Sequence, residues 1–224
     1  MKNSKIKQNI PKMNQKVPQN AENSIKSLIF DLGGVIINID FDLTMRALQA
    51  YTNIPLGVGA YLGKNEIFYN YETGKINSAE FLTQIKEKYQ LNATNEQIIH
   101  AWNALLLDIP VEYVNLLLSL KSKYNIFILS NTNPIHIEGV EAILGQNSQI
   151  KHLSELCDKV YLSYEMGKAK PELAIYQQVI NENNLNPSET MFFDDSETNL
   201  QGAQKIGIQT MLISAKHTIL DILF

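Results

Sequence analysis

The sequence predicts an α/β fold, a doubly wound parallel sheet with helices on both faces and an α-helical unit inserted after the first strand. Three observations carry that reading. From residue 109 onward, short apolar runs of strand length alternate with stretches of helical periodicity. Between residues 42 and 108 the periodicity is helical throughout. Three of the apolar runs stop at conspicuous polar residues, namely Asp31, Ser130-Asn131-Thr132 and Asp194-Asp195, as parallel strands do where their carboxyl ends meet a ligand crevice.

Taken in order, residues 1 to 24 are rich in Asn, Gln and Lys and hold too few apolar side chains to offset the entropy of ordering, so they are expected to form a flexible tail. Ser27-Leu28-Ile29-Phe30 reads as a buried strand, broken at Asp31 and by Gly33-Gly34. The helical stretch is marked by Leu43, Ala47 and Leu48, by Ala60, Tyr61 and Leu62, by Phe81, Ile85 and Tyr89, and by Ile98, Ile99, Trp102, Leu105 and Leu106. Turn signals at Asn53-Ile54-Pro55, Glu72-Thr73-Gly74 and Leu91-Asn92-Ala93-Thr94 divide it, and Ser78 is expected to cap the helix that carries Phe81. The division expected is a core of residues 25–40 and 109–224 around a helical insertion of residues 41–108.

Residues 111 to 123 read as a strongly apolar helix, 125 to 129 as the second strand and 160 to 162 as the third. Residues 171 to 183 are expected to be a helix with Pro171 in its first position, where a missing N–H costs nothing. A strand at 190 to 193, a helix from Leu200 to Ile206 closed by Gly207, and a strand at 209 to 213 complete the alternation.

Composition narrows the function. With 45% hydrophobic residues in 224, the chain can bury a substantial core. A net charge of -4 provides no broad basic field for nucleic acid or anionic lipid, so any phosphate binding must be local and the partner small. The single cysteine, Cys157, cannot form an internal disulfide and reads as a small buried hydrophobe. There is no signal-peptide pattern and no apolar run long enough to span a bilayer, so a cytoplasmic location is expected.

Parallel strands share one carboxyl edge, so Asp31, Ser130, Asn131, Asp194 and Asp195 are expected to converge, joined by Lys170. Carboxylates with a lysine and small hydroxyl or amide groups make a site for a hard cation and a phosphate. Each residue also has a plainer reading: Asp31 and Ser130 can form turns, Lys170 can be a solvated charge, and Asp194-Asp195 can cap the next helix. Their joint order resembles a known family. Phe30-Asp31-Leu32-Gly33-Gly34-Val35, Leu129-Ser130-Asn131-Thr132, Lys170-Pro171-Glu172 and Phe192-Phe193-Asp194-Asp195 resemble, in that order, the four motifs of the haloacid dehalogenase-like hydrolase superfamily. The resemblance spans residues 25 to 214, and within the superfamily it is to bacterial sugar-phosphate phosphatases of the α-D-glucose-1-phosphate phosphatase kind.

That resemblance implies a Rossmann-like core, a small α-helical cap at residues 41–108, and a Mg2+-dependent phosphatase acting on a small phosphorylated metabolite. Asp31 would be the nucleophile that forms an aspartyl-phosphate. Mg2+ would be held by Asp31, Asp195 and the backbone carbonyl of Gly33, with Asp194 acting directly or through a water. The Ser130 hydroxyl and the Asn131 backbone N–H would hold the phosphoryl oxygens, and Lys170 would neutralise their charge and orient Asp31.

One departure stands out. The family pattern carries a second Asp two residues after the nucleophile to protonate the leaving group, and here that position is Gly33. A good leaving group such as an anomeric sugar oxygen needs that proton less; alternatively a cap residue supplies it, with Glu66, Glu72, His100 and Asp108 as candidates. Tyr61, Tyr69, Tyr71 and Trp102 are candidates to contact a sugar face or, more simply, to pack the cap. The competing functions are a metal-independent dehalogenase, against which the repulsive Asp194-Asp195 pair argues, and a catalytically weak module that binds a phospho-ligand or a protein.

Overall fold

The computed structural model describes residues 25–57 and 65–222. Strand β1 (Ser27–Phe30) leads to helices α1 (Phe41–Gln49), α2 (Glu66–Glu72), α3 (Ser78–Lys88) and α4 (Asn95–Trp102), and the chain returns through α5 (Val111–Leu120) to β2 (Asn125–Ser130). Helix α6 (Pro134–Asn147), β3 (Lys159–Leu162), α7 (Ser163–Met166), α8 (Leu173–Glu182), β4 (Thr190–Asp194), α9 (Glu197–Gln204), β5 (Gln209–Leu212) and α10 (Ile219–Ile222) follow. The expected tail at 1 to 24 and the helical positions Ala60, Tyr61 and Leu62 lie outside the described residues.

The sheet is parallel throughout, in the order β3-β2-β1-β4-β5. Phe30 pairs with Ile128 on one side and with Phe193 on the other, so the ends of β1, β2 and β4 run out at one edge. The chain builds outward from β1 to β3 on one side and then from β4 to β5 on the other, which opens a crevice between β1 and β4. Successive strand residues point to opposite faces, and both faces are apolar. Phe30, Ile128 and Phe193 pack with Val114 and Leu117 of α5 and Val140 and Leu144 of α6. Ile29, Leu129 and Phe192 pack with Ile175 and Val179 of α8 and Leu200 and Ala203 of α9. Cys157 is buried in the first of these clusters, and burial pushes its thiol up to about 12, the setting of an inert apolar residue.

Helices α1 to α4 build an apolar cluster of their own around Trp102, Phe81, Tyr71 and Phe68, joined from the sheet side by Ile135. The two chain crossings that connect them to the sheet lie side by side. Asn38 N–H donates to the Asp108 carbonyl at 3.0 Å, Leu107 N–H to the Asn38 carbonyl at 2.9 Å and Asp40 N–H to the Leu105 carbonyl at 2.9 Å. The Asn38 side chain adds a bond to Asp108 Oδ1 at 3.0 Å.

Several expectations are corrected. The cap of α3 is Asn77, whose side chain accepts from Ala79 and Glu80 while Glu80 reaches back to its N–H; Ser78 is the first helical residue. Pro171 does not begin a helix: Lys170 and Pro171 are joined by a cis peptide, and α8 starts at Leu173. The reason is tertiary, because the backbone of Lys170 is held by the Asn131 side chain and is unavailable to a first helical turn. Helix α5 stops at Leu120 and α9 begins three residues ahead of Leu200, at Glu197. Helical periodicity up to residue 106 overruns the helix itself, which ends at Trp102 and is followed by one 3-10 turn, Asn103–Leu105.

Candidate active site

The ends of β1, β2 and β4 deliver the site's side chains. Asp31 follows β1 and keeps its backbone in the ladder, its N–H donating to the Phe193 carbonyl at 2.8 Å. The chain then coils back through residues 32–37, with the N–H groups of Ile36 and Ile37 both bonded to the Leu32 carbonyl at 2.8 and 2.9 Å. Gly34 in this coil has φ +73 and lies so close to Asp195 that a Cβ would collide with its carboxylate. Only glycine suits both conditions. The close approach lets Asp195, the exposed first residue beyond β4, stand beside β1.

Lys170 ties the site together. It is buried, and its ammonium lies 2.7 Å from Asp31 Oδ1, 2.7 Å from Asp194 Oδ2 and 3.0 Å from the Leu129 carbonyl. Its backbone is clasped by Asn131, whose Oδ1 accepts the Lys170 N–H at 2.8 Å and whose Nδ2 donates to the Lys170 carbonyl at 2.9 Å. Asp194 is fully buried and saturated: besides Lys170 it accepts from the Ser196 N–H at 2.8 Å and from Asn199 Nδ2 at 3.1 and 3.2 Å. Asp31 is asymmetric. Its Oδ1 takes both Lys170 and the Leu32 N–H, while its Oδ2 has no hydrogen bond to a described residue.

Burial pushes the Asp31 carboxyl up to about 7, with Asp194 adding to the rise and Lys170 opposing it. Burial likewise disfavours the Lys170 ammonium, but Asp31 and Asp194 outweigh it and hold the lysine above its ordinary value. Asp195 is raised by burial and by Asp194. Asp31, Asp194 and Asp195 each offer a carboxylate oxygen within 4.8 Å of the others. Three carboxyl groups to one ammonium, all oxygen donors, make a set that fits a small hard dication. The Gly33 carbonyl, two residues beyond Asp31, carries no hydrogen bond from a described residue.

Ser130 is buried at the end of β2, and neither its hydroxyl nor the Asn131 N–H is bonded to a described residue. The sequence-expected site residues Asp31, Lys170, Asp194 and Asp195 are therefore together, with Asn131 joined to Lys170 and Ser130 next in the chain. Asn199 and the clasping role of the Asn131 side chain were outside that expectation. Asn199 stands five residues after Asp194, in the first turn of α9, and that spacing behind a strand-end carboxylate is the signal for it.

The proposed proton donors and sugar contacts are scattered. His100 and Glu66 are exposed, Asp108 is bonded to Asn38 in the linkers, and Glu72 is half-buried at the end of α2. Tyr71 and Trp102 are buried packing residues, Tyr71 stacked on Phe81 at 4.1 Å and Trp102 on His136 at 5.1 Å, in line with the simpler of their two readings, that they pack the cap. Tyr69 is partly exposed and donates its hydroxyl to Glu172 at 2.9 Å, across from the helical unit to the segment that carries Lys170. Tyr61 lies outside the described residues.

A parallel α/β sheet with three carboxylates and a lysine at its carboxyl edge, and a helical insertion after its first strand, defines a hydrolase of the haloacid dehalogenase kind. The chain belongs to the haloacid dehalogenase-like hydrolase family, whose pattern it matches over residues 25–207. It is similar to the D-ribitol-5-phosphate phosphatase of Bacteroides thetaiotaomicron, 33% identical over 190 residues that cover 83% of this chain and 90% of the relative. Among solved structures, a HAD family enzyme of the same organism in complex with magnesium and inorganic phosphate is 38% identical with a TM-score of 0.76, covering 85% of this chain and 95% of that one. The L-2-haloacid dehalogenase of Xanthobacter autotrophicus shares the fold, at 18% identity, a TM-score of 0.54 and coverage of 86% and 80%.

Proposed function

We propose that this protein is a Mg2+-dependent phosphatase that hydrolyses a small phosphorylated sugar or polyol through an aspartyl-phosphate on Asp31. The observation that carries the reading is the Lys170 ammonium placed 2.7 Å from both Asp31 and Asp194, with Asp195 completing the carboxylate set. Family membership, a relative named as a phosphatase and a similar structure complexed with magnesium and phosphate support it.

Asp31 and Asp195, with the Gly33 carbonyl, would hold the cation, and bound there it would mask the charge that otherwise keeps a phosphate dianion from a carboxylate. Asp194 serves mainly to fix Lys170, since its oxygens are already bonded to Lys170, Ser196 and Asn199. The Ser130 hydroxyl and the Asn131 N–H hold phosphoryl oxygens, and Lys170 spreads its charge over the same group. Asp31 Oδ2 attacks phosphorus as the bond to the leaving oxygen breaks, and that oxygen takes a proton from water. A second water then attacks the aspartyl-phosphate, releasing phosphate and restoring Asp31.

The helical unit of residues 41–108 acts as the cap that selects the substrate, and residues 25–40 and 109–224 form the catalytic core. Two substrate chemistries compete. Gly33 in place of a proton donor favours an anomeric phosphate, whereas the relative named for D-ribitol 5-phosphate points to the ester of a primary alcohol. Phosphate release from a panel containing glucose 1-phosphate, ribitol 5-phosphate and simple alkyl phosphates, with and without Mg2+, tests both the activity and the class. Turnover of a sugar or polyol phosphate only with the metal is expected, and release from none of them would refute the reading.

A further inference from the structure

Helix α6 starts directly after the segment that carries Ser130 and Asn131, and its first turn is one of the places where the helical unit touches the sheet half. Asn133 caps α6 by accepting the His136 N–H at 3.0 Å. On the facing side Ile135 belongs to the apolar cluster of the helical unit, and its N–H lies 3.4 Å from the Tyr71 hydroxyl. At Gly139 a Cβ would come within 2.7 Å of Leu106 and 2.9 Å of Asn103, so glycine lets the end of the helical unit lie directly on α6.

Into this seam Asn103 sends its side-chain amide. Its Nδ2 donates to the Ile135 carbonyl at 3.2 Å, which turns its Oδ1 towards His136 Nδ1, 2.9 Å away. The network thus assigns the proton of His136 to Nδ1 and leaves Nε2 as an acceptor, buried and with no partner among the described residues. The imidazole stacks on Trp102 with centroids 5.1 Å apart and planes 5° from parallel. A phenyl ring could also stack there without an orphaned Nε2, but it would leave Asn103 Oδ1 without its donor, so stacking alone does not call for a histidine. What it supplies instead is one directed bond across the seam.

We propose that His136 is a positioning residue for substrate selection: through its bond to Asn103 it sets the helical unit in register with the phosphate-holding segment at Ser130 and Asn131. The proposal rests on the phosphatase reading above. A substrate whose sugar or polyol portion reaches the helical unit depends on that register, whereas acetyl phosphate, with only an acetyl group beyond the phosphate, does not.

The test compares wild type, His136→Phe, His136→Asn, Asn103→Leu and the His136→Phe/Asn103→Leu double variant, using acetyl phosphate and the best sugar or polyol phosphate of the panel. His136→Phe is expected to remain folded, with a KM for the larger substrate raised about fivefold or more and a kcat/KM for acetyl phosphate within about twofold of wild type. Asn103→Leu should reproduce the KM effect, and the double variant should be no worse than either single one. In His136→Asn the amide NH2 takes the place of the Nδ1–H, and KM should recover towards wild type. An unchanged KM in His136→Phe, or equal losses on both substrates, would each overturn the proposal. Inactive wild type on every substrate would instead refute the phosphatase reading, and this proposal with it.

Discussion

Asn131 and Lys170 are joined by two reciprocal hydrogen bonds, side chain to backbone, at 2.8 and 2.9 Å. The pair fixes the main chain from which the buried ammonium reaches Asp31 and Asp194. Asn131→Ala is expected to lower kcat about 10²-fold, the scale of a catalytic group displaced by about an ångström. Steady-state kinetics alongside circular dichroism checks this, with the fold retained.

Gly34 admits no side chain. Its φ of +73 and its contact with the Asp195 carboxylate predict that Gly34→Ala costs about 1–2 kcal/mol for the left-handed backbone, and more if Asp195 cannot move. The displaced Asp195 should also raise the Mg2+ concentration needed for half-maximal activity. Urea denaturation and a Mg2+ titration read the two effects separately.

Gly33 is different, since a Cβ there meets only the far end of the Ile39 side chain, 3.1 Å away. Gly33→Asp is therefore expected to fold and to supply the proton donor that the family pattern places at this position. Its kcat should rise about tenfold or more for an alkyl phosphate, a poor leaving group, and change little for glucose 1-phosphate. Parallel assays on the two substrates decide it.

His136 should leave a signature in stability against pH. Burial pushes its pKa down to about 3 from an ordinary value near 6.5. Between those values the unfolded chain binds a proton that the folded chain does not, so this stability is complete above about pH 6.5 and is lost as pH falls towards 3. The slope approaches about 1.4 kcal/mol per pH unit, and it should be absent in His136→Phe. Urea unfolding of both proteins between pH 7.5 and 5 measures the difference.

The strands of this fold were legible because each is a short apolar run stopped by a polar residue, as at Phe30-Asp31 and Phe193-Asp194. Helix α6 escapes a reading by periodicity because its apolar residues serve two cores: Val140 and Leu144 face the sheet, while Ile135 faces the helical unit. The start of α8 was misread because the Asn131 side chain, 39 residues away along the chain, takes the Lys170 backbone out of reach of a helix. Asp31, Lys170, Asp194 and Asp195 were recognisable by order and residue type. The duties of Asn199, and of Asn103 with His136, arise from tertiary packing and leave only weak traces in local sequence.

The most direct test of the central claim is phosphate release by wild type and Asp31→Asn on the best substrate of the panel, each with and without Mg2+. The account predicts metal-dependent turnover in the wild type and a loss of at least about 10³-fold in the variant, which keeps the shape of the side chain but lacks the nucleophilic carboxylate. Turnover by Asp31→Asn close to wild type would contradict it.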